Sequence, residues 1–462
     1  MSESPLLIQR SRAASLLGAR PLRRATALAF IWAIVLGNAA VIVWLWYHGG
    51  NVTDLHSAGD VLTSIARITG LLSAYLALLQ VLLLARLPWL EPLVGFDRLT
   101  VWHRWNGHAC LYLVLAHVVF SVWGYALLDR ISVPHELSTM LGGGIYPGMI
   151  TATVGTGLLV AVVVSSVVIV RRHLRYEAWY AVHLTAYAAI ALAWFHQIPT
   201  GNELVLDRAA ADYWRALFVA TLLLLVVFRV AVPIAAAFRD RLRVTEVVRE
   251  GPDVVSLRIA GPGVRRLQAR AGQFFLWRFL TRGRWWSSHP FSLSEAPDGR
   301  SLRITVKGLG DFTSRIGTIE PGTRVVAEGP FGVFTEAARR RERSLLIAGG
   351  IGITPIRALM EQIRGHAVIL YRVVREPEAI LREELEWIAA ERGLELRIVA
   401  GDHATEDGAR LLSVDHLQEL VPDIAERDVY VCGPPAMADL IERNVRAAGV
   451  PRRLVHVERF AL

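Results

Sequence analysis

The chain has 462 residues, 53% of them hydrophobic and 20% charged, with 50 Lys and Arg against 41 Asp and Glu. That much apolar content excludes a disordered, solvating chain and points to a membrane protein. Two cysteines exclude a disulfide framework or a cysteine-held zinc cluster, and the formal charge of +9 reads as arginine gathered at helix ends, so no nucleic-acid partner is expected.

Six apolar runs near 25–46, 62–85, 104–127, 149–170, 179–197 and 214–237 are each long enough to cross about 30 Å of hydrocarbon. The first run is too long for a signal-peptide core and is expected to be a spanning helix. Arginines decide orientation. Arg10, Arg12, Arg20, Arg23 and Arg24 precede the first run, and Arg86, Arg98 and Arg104 fall around the second and third. Arg171, Arg172 and Arg175 join the fourth to the fifth, and Arg239, Arg241 and Arg243 follow the sixth. The other loops carry Asp54, Asp60, Asp129, Glu136, Glu203, Asp207 and Asp212. Both termini are therefore expected on the cytoplasmic side of the plasma membrane.

The third run holds His103 and, 14 residues on, His117, a rise of about 21 Å that returns to within about 40° of the same face. The fifth run points the same way and carries His183 and His196, 13 residues apart. Two level pairs result, His103 with His183 and His117 with His196, each able to grip one iron from both sides as bis-histidyl b-type haem requires. No CxxCH stretch attaches haem covalently. His108 lies about 140° round from His103 and fits neither pair, so it reads as a packing or propionate-contacting residue. An ideal helix turns His196 well away from His183; either that helix is distorted or the two haems sit at different angles around it. Arg67, a lone charge in the second run, is a candidate partner for a haem propionate. His48, His56 and His135 lie in the outer loops without metal-ligand spacing and read as solvated.

Beyond about residue 238 short β-branched strands alternate with turns and charged helices. "AGQFFLWRF" alternates like a barrel strand and precedes "HPFSLSEAP", where His289, Pro290, Phe291, Ser292 and Ser294 form one candidate cofactor surface: an aromatic face with two hydroxyls. "VKGLGDFTSRI" adds Lys307, the only lysine in the chain, and Asp311, Phe312, Thr313 and Ser314 in a turn into a helix start whose amides suit a pyrophosphate. "SLLIAGGIGITPIRALMEQI" is a buried strand, a glycine turn (Gly349, Gly350, Gly352) and an amphipathic helix opening with Thr354 and Pro355, a second phosphate site. "VYVCGPPAM" brings Cys432, Gly433, Pro434 and Met437, with Cys432 expected at the mouth of the cleft against a nicotinamide. "LYRVVREPEAILREEL" places Arg372 and Arg375 at the end of the strand after the glycine-turn unit, where arginine suits a 2′-phosphate and favours NADPH over NADH.

Taken together these motifs resemble the ferric reductase and NADPH oxidase superfamily, on His103, His117, His183 and His196 and on "HPFSLS", "GDFT", "GGIGITP" and "CGPPAM". The resemblance implies a multidomain membrane protein: a six-helix transmembrane haem bundle (1–238), an antiparallel β-barrel FAD domain (239–341) and an α/β doubly wound NAD(P) domain (342–462). It implies FAD as the flavin, and that Phe460 shields the flavin and moves aside for nicotinamide, although Ala461 and Leu462 follow it here. The expected activity carries electrons from cytoplasmic NAD(P)H through FAD and two b-type haems to an outer acceptor, a ferric chelate first. Oxygen, reduced to superoxide, and a partner protein are the alternatives.

Overall fold

The computed structural model describes residues 21–460, apart from 143, 145, 168, 169, 171–173, 175, 283–286, 403, 404, 406, 407 and 409. Arg10, Arg12 and Arg20, the inter-helix arginines Arg171, Arg172 and Arg175, and Ala461 and Leu462 lie outside the described residues. The chain divides into two compact units, Met1–Ala231 and Val232–Leu462.

The first unit is helical: α1 (Pro21–Trp46), α2 (Ala58–Leu83), α3 (Phe96–Leu128), α4 (Val133–Gly142), α5 (Met149–Ser166), α6 (Tyr176–Thr200) and α7 (Arg208–Leu225). Six helices are long and apolar enough to cross a membrane, at the six runs read from sequence. Ser57 starts α2 by accepting the Asp60 amide at 3.2 Å, and Asp207 starts α7 by accepting the Ala209 amide at 2.8 Å, as helix N-caps do. α3 begins eight residues before its apolar run, a stretch that carries Arg98. α5 ends at Ser166, short of the expected 170, where Val167 turns extended. The sixth run is interrupted by a π turn, Val226–Ala231. α4, a short helix between the third and fourth apolar runs, adds to the elements expected from sequence.

α2 packs chiefly on α3, and α5 on α6. Hydrogen bonds cross the first seam inside the apolar layer, from Ser73 Oγ to the Cys110 carbonyl at 3.2 Å, and Tyr75 ties α2 to α1 through the Val35 carbonyl at 2.9 Å. In lipid a polar side chain must find such a partner.

The second unit opens with α8 (Val232–Asp240) and continues with β1 (Leu242–Gly251), β2 (Val254–Ala260), β3 (Phe274–Phe279), β4 (His289–Ser292), β5 (Ser301–Lys307) and β6 (Arg324–Phe331). These strands form one antiparallel sheet in the order β4-β3-β6-β1-β2-β5. A bridge between Leu293 and Ile304 joins the two edges, closing a barrel around Leu257, Ile259, Phe275, Trp277, Phe279 and Leu293. Alternation in "FFLWRF" places Phe275, Trp277 and Phe279 inward, as a half-buried strand requires.

β7 (Ser344–Gly349), α9 (Ile353–Gln362), β8 (Ala367–Val373), α10 (Arg382–Arg392), β9 (Glu395–Ala400), α11 (Val414–Leu420), β10 (Asp428–Gly433), α12 (Pro435–Ala447) and β11 (Val455–Arg459) complete the chain. Their sheet is parallel in the order β11-β10-β7-β8-β9 with a buried apolar layer on each face. The chain leaves β7 toward β8 and returns to β10 on the other side. β7 and β10 therefore flank the topological switch point, where open α/β sheets bind ligands.

Candidate functional site

The four intramembrane histidines meet as two pairs. The rings of His103 and His183 have centroids 6.0 Å apart, and those of His117 and His196 6.3 Å. A metal–nitrogen bond of about 2.0–2.1 Å on each side, plus about 1.1 Å from nitrogen to ring centre, requires about 6.3 Å, so both pairs fit one iron between them. α6 is an uninterrupted α-helix through both of its histidines. Pro199 lies near its end, beyond His196.

What orients the rings was not legible in the motif. His103 Nδ1 lies 3.1 Å from the Gln80 carbonyl and His117 Nδ1 2.8 Å from the Ala66 carbonyl, both on α2. A carbonyl only accepts, so Nδ1 carries the proton and Nε2 keeps its lone pair for a metal. Residues 66 and 80 are 14 apart, the same interval as His103 and His117, and one helix repeat thus holds the other. Asn106 fixes Gln80, donating to its Oε1 at 2.7 Å and to the Leu76 carbonyl at 2.8 Å. His183 Nδ1 is 3.3 Å from Ser166 Oγ, which also accepts Trp179 Nε1 at 3.2 Å. His196, across from His117, has a backbone acceptor, at Ala193, on its own helix. His108 turns a nitrogen to its own helix, 2.8 Å from the Arg104 carbonyl, and joins neither pair.

A cavity of about 790 Å³ opens beside the pair of His117 and His196, lined by these two and by Gly70, Arg67, Tyr125 and Trp214 among others. Gly70 is required there: a Cβ would stand 2.6 Å from His117 Nδ1. Arg67 Nη1 donates to Asn51 Oδ1 at 2.8 Å, and Asn51 donates to Glu203 in turn. A half-buried arginine is thus linked to a buried carboxylate through one neutral amide at the cavity wall.

In the second unit, His289 and Phe291 stand two residues apart on one face of β4. Phe312 lies over His289 with centroids 3.7 Å apart and planes 17° apart. This flat aromatic face suits an isoalloxazine ring. Ser294 departs from expectation. It is fully buried, and its hydroxyl accepts Thr305 Oγ1 at 2.8 Å, inside the barrel rather than toward a ligand. The turn after Lys307 also differs. The Leu309 and Gly310 amides, both 2.9 Å from Thr313 Oγ1, are spent within the turn, and the helix that follows is a six-residue 3₁₀ segment, Thr313–Thr318. Asp311 and Ser314 are exposed on it. Lys307 pairs with Asp253 at 3.6 Å.

At the switch point the two glycine turns face each other. A Cβ on Gly352 would lie 2.4 Å from the Cys432 carbonyl oxygen, so only glycine allows this approach. Met437 packs over Gly349. Thr354 is buried and returns its hydroxyl to the Ile351 carbonyl at 3.0 Å, and buried Pro355 follows it in the first turn of α9. Cys432 is not bare at the cleft mouth: it is fully buried in the apolar layer, and burial pushes its thiol well above the usual range. Phe460 packs on that layer, its amide donating to the Gly433 carbonyl at 3.1 Å. Pro434 leads into α12. Arg372 is also reassigned. Its guanidinium is turned to the carbonyls of Val373, Gly401, Val399 and Gly408, so the backbone around β9 absorbs its donors. Arg375 remains exposed, paired with Glu378 at 2.7 Å.

Comparison with known proteins agrees with this geometry. Residues 69–194 match the family described as ferric reductase like transmembrane component, 240–335 the FAD-binding domain family, and 346–443 the oxidoreductase NAD-binding domain family. The chain is 32% identical to ferredoxin–NADP reductase B of Sorangium cellulosum, over 37% of this chain and 77% of that protein. It is 30% identical to NADH-cytochrome b5 reductase 1 of Candida glabrata, over 35% and 62%, and 28% identical to an NADPH oxidoreductase of Mycobacterium tuberculosis, over 50% and 62%. The chain thus spans about three fifths of the latter two relatives. The FAD/NAD-binding domain of nitric oxide dioxygenase from Vibrio cholerae aligns over 48% of this chain and 98% of that domain, at 22% identity and a TM-score of 0.40.

Fold and site together define a multi-pass membrane NAD(P)H oxidoreductase, a ferric-reductase-like transmembrane domain fused to a ferredoxin-reductase-type module. The chain belongs to the ferric reductase and NADPH oxidase superfamily.

Proposed function

We propose that the chain carries electrons from cytoplasmic NAD(P)H across the plasma membrane to an outer acceptor, a ferric chelate first, with both termini cytoplasmic. The observation that carries this reading is the two level histidine pairs at one-iron spacing, two of whose rings are set by α2 carbonyls. When bound, FAD supplies the change from two-electron to one-electron transfer, and two b-type haems supply the one-electron steps across the bilayer. His103 with His183 would hold the inner haem, and His117 with His196 the outer. Arg67 would face a propionate across the cavity wall, its charge otherwise shared with Glu203 through Asn51. His289, Pro290, Phe291 and Ser292 with Phe312 would seat the flavin ring. The turn backbones at Gly349–Gly352 and Gly433–Pro434 would take the nucleotide. Phe460 would cover the flavin until nicotinamide displaces it.

Oxygen is the second acceptor, favoured by one feature: Leu137, Met140 and Leu141 of α4 lie along the cavity beside the outer pair, cover that suits a small neutral molecule. NADPH added anaerobically to the detergent-purified protein should give a reduced b-type haem spectrum only when FAD is present. Faster reoxidation by ferric citrate than by air supports the ferric reading, and the reverse supports oxygen. Turnover with neither points to a partner protein. Flavin reduction that never reaches haem contradicts the relay.

A further inference from the structure

Arg303 is an unexpected charge in the barrel wall. It lies on β5 between buried Leu302 and Ile304, with its side chain only 8% exposed. Its Nη1 and Nη2 each donate to one carboxylate oxygen of Glu384 on α10 at 2.9 Å, and Nη2 donates to Glu250 at 3.3 Å. Glu384 also accepts Nε of Arg357 on α9 at 2.9 Å. One turn along α9, Glu361 lies 3.0 Å from Arg357 and accepts the Ala296 amide at 2.6 Å. Ala296 belongs to "HPFSLSEAP". On its other side, Arg303 Nε donates to Ser256 Oγ at 3.3 Å, Ser256 bonds Thr305 at 2.8 Å, and Thr305 bonds Ser294 at 2.8 Å. Buried and half-buried polar groups therefore reach both Ser294 and Ala296, in the flavin motif, from α9 and α10 of the nucleotide-binding layer.

Stability alone is a weak reason for such a network. Desolvating two arginines and their carboxylates costs about as much as their attraction returns, and apolar side chains of similar volume often serve equally well. A bidentate guanidinium–carboxylate pair, by contrast, fixes relative orientation, which apolar packing does less sharply. The helix it holds is the one that opens with "GGIGITP".

We propose that Arg303, Glu384 and Arg357 form a positioning clamp that sets the nucleotide turn against the flavin motif, and hence the span over which hydride passes. This rests on the NAD(P)H-to-FAD reading above. The transfer moves one hydride, with its two electrons, so the nucleotide is oxidised by the same two electrons that reduce the flavin. The clamp touches neither reactant.

The test uses the full-length, FAD-loaded protein. In Glu384→Gln, anaerobic stopped-flow flavin reduction at saturating NADPH should slow about tenfold, since small misplacements are costly. The Kd for NADP⁺ should stay within about twofold, because the nucleotide turns are untouched. Amide exchange over residues 353–362 should quicken. Ser256→Ala, which cuts the hydroxyl chain and leaves the ion pairs, should slow reduction less. Flavin reduction in Glu384→Gln as fast as in wild type overturns the clamp, whatever happens to the melting temperature. Wild-type flavin reduced by neither NADPH nor NADH instead removes the reading on which the clamp rests.

Discussion

Replacing His117 by alanine removes a ring whose Nδ1 proton is already committed to the Ala66 carbonyl, 2.8 Å away. Haem per chain should fall by half in a pyridine haemochrome assay, with the inner pair intact. Gly70→Val tests orientation rather than ligation. It keeps His117 but places a Cβ 2.6 Å from Nδ1, so the same loss of one haem is expected from a residue that ligates nothing. The arginines at the end of β8 divide similarly. Arg375→Ala should raise KM for NADPH several-fold while leaving NADH unchanged, since its exposed pair with Glu378 costs little to break. Arg372→Ala should lower the melting temperature and leave the NADPH to NADH ratio alone, because its donors serve backbone carbonyls. Sequence placed both arginines correctly at the strand end. It did not show where the guanidinium of Arg372 turns, because the accepting carbonyls belong to residues 399, 401 and 408.

At the scale of elements, period and length made the spanning helices legible, and the 14-residue and 13-residue intervals made the histidine pairs legible. The α2 carbonyls that hold two of the rings were not, because a backbone acceptor leaves no residue-type signal. β5 shows the same limit. Its "SLRITVK" reads as an ordinary strand, and only the polar residues Arg303 and Thr305 in a run buried on both sides hint that partners await from another element. Burial would raise the Glu384 carboxyl, but hydrogen bonds and charge from Arg303 and Arg357 overcome this and hold it below its usual 4.5. A depressed carboxylate stabilises the fold above the unfolded value and loses that contribution as pH falls through the folded one. The gap in melting temperature between wild type and Glu384→Gln should therefore be steady at neutral pH and close as the pH drops below 4.5, measured by scanning calorimetry.

For the whole molecule, each unit has its own apolar cores, the barrel and the parallel sheet in one and the helix layers in the other. The boundary between the units falls at Ala231, inside the sixth apolar run rather than after it. Apolar composition marks what lipid surrounds, whereas packing marks what moves together, and at the π turn of Val226–Ala231 the two disagree. Under the proposed function, four histidines connect a cytoplasmic reductase to the far side of a membrane. The most direct test is the anaerobic visible spectrum of the FAD-loaded protein after NADPH is added, with haem and flavin counted. Two b-type haems per FAD, both reduced, are expected, with one lost in His117→Ala. Protein that binds FAD and nucleotide but no haem would contradict the account.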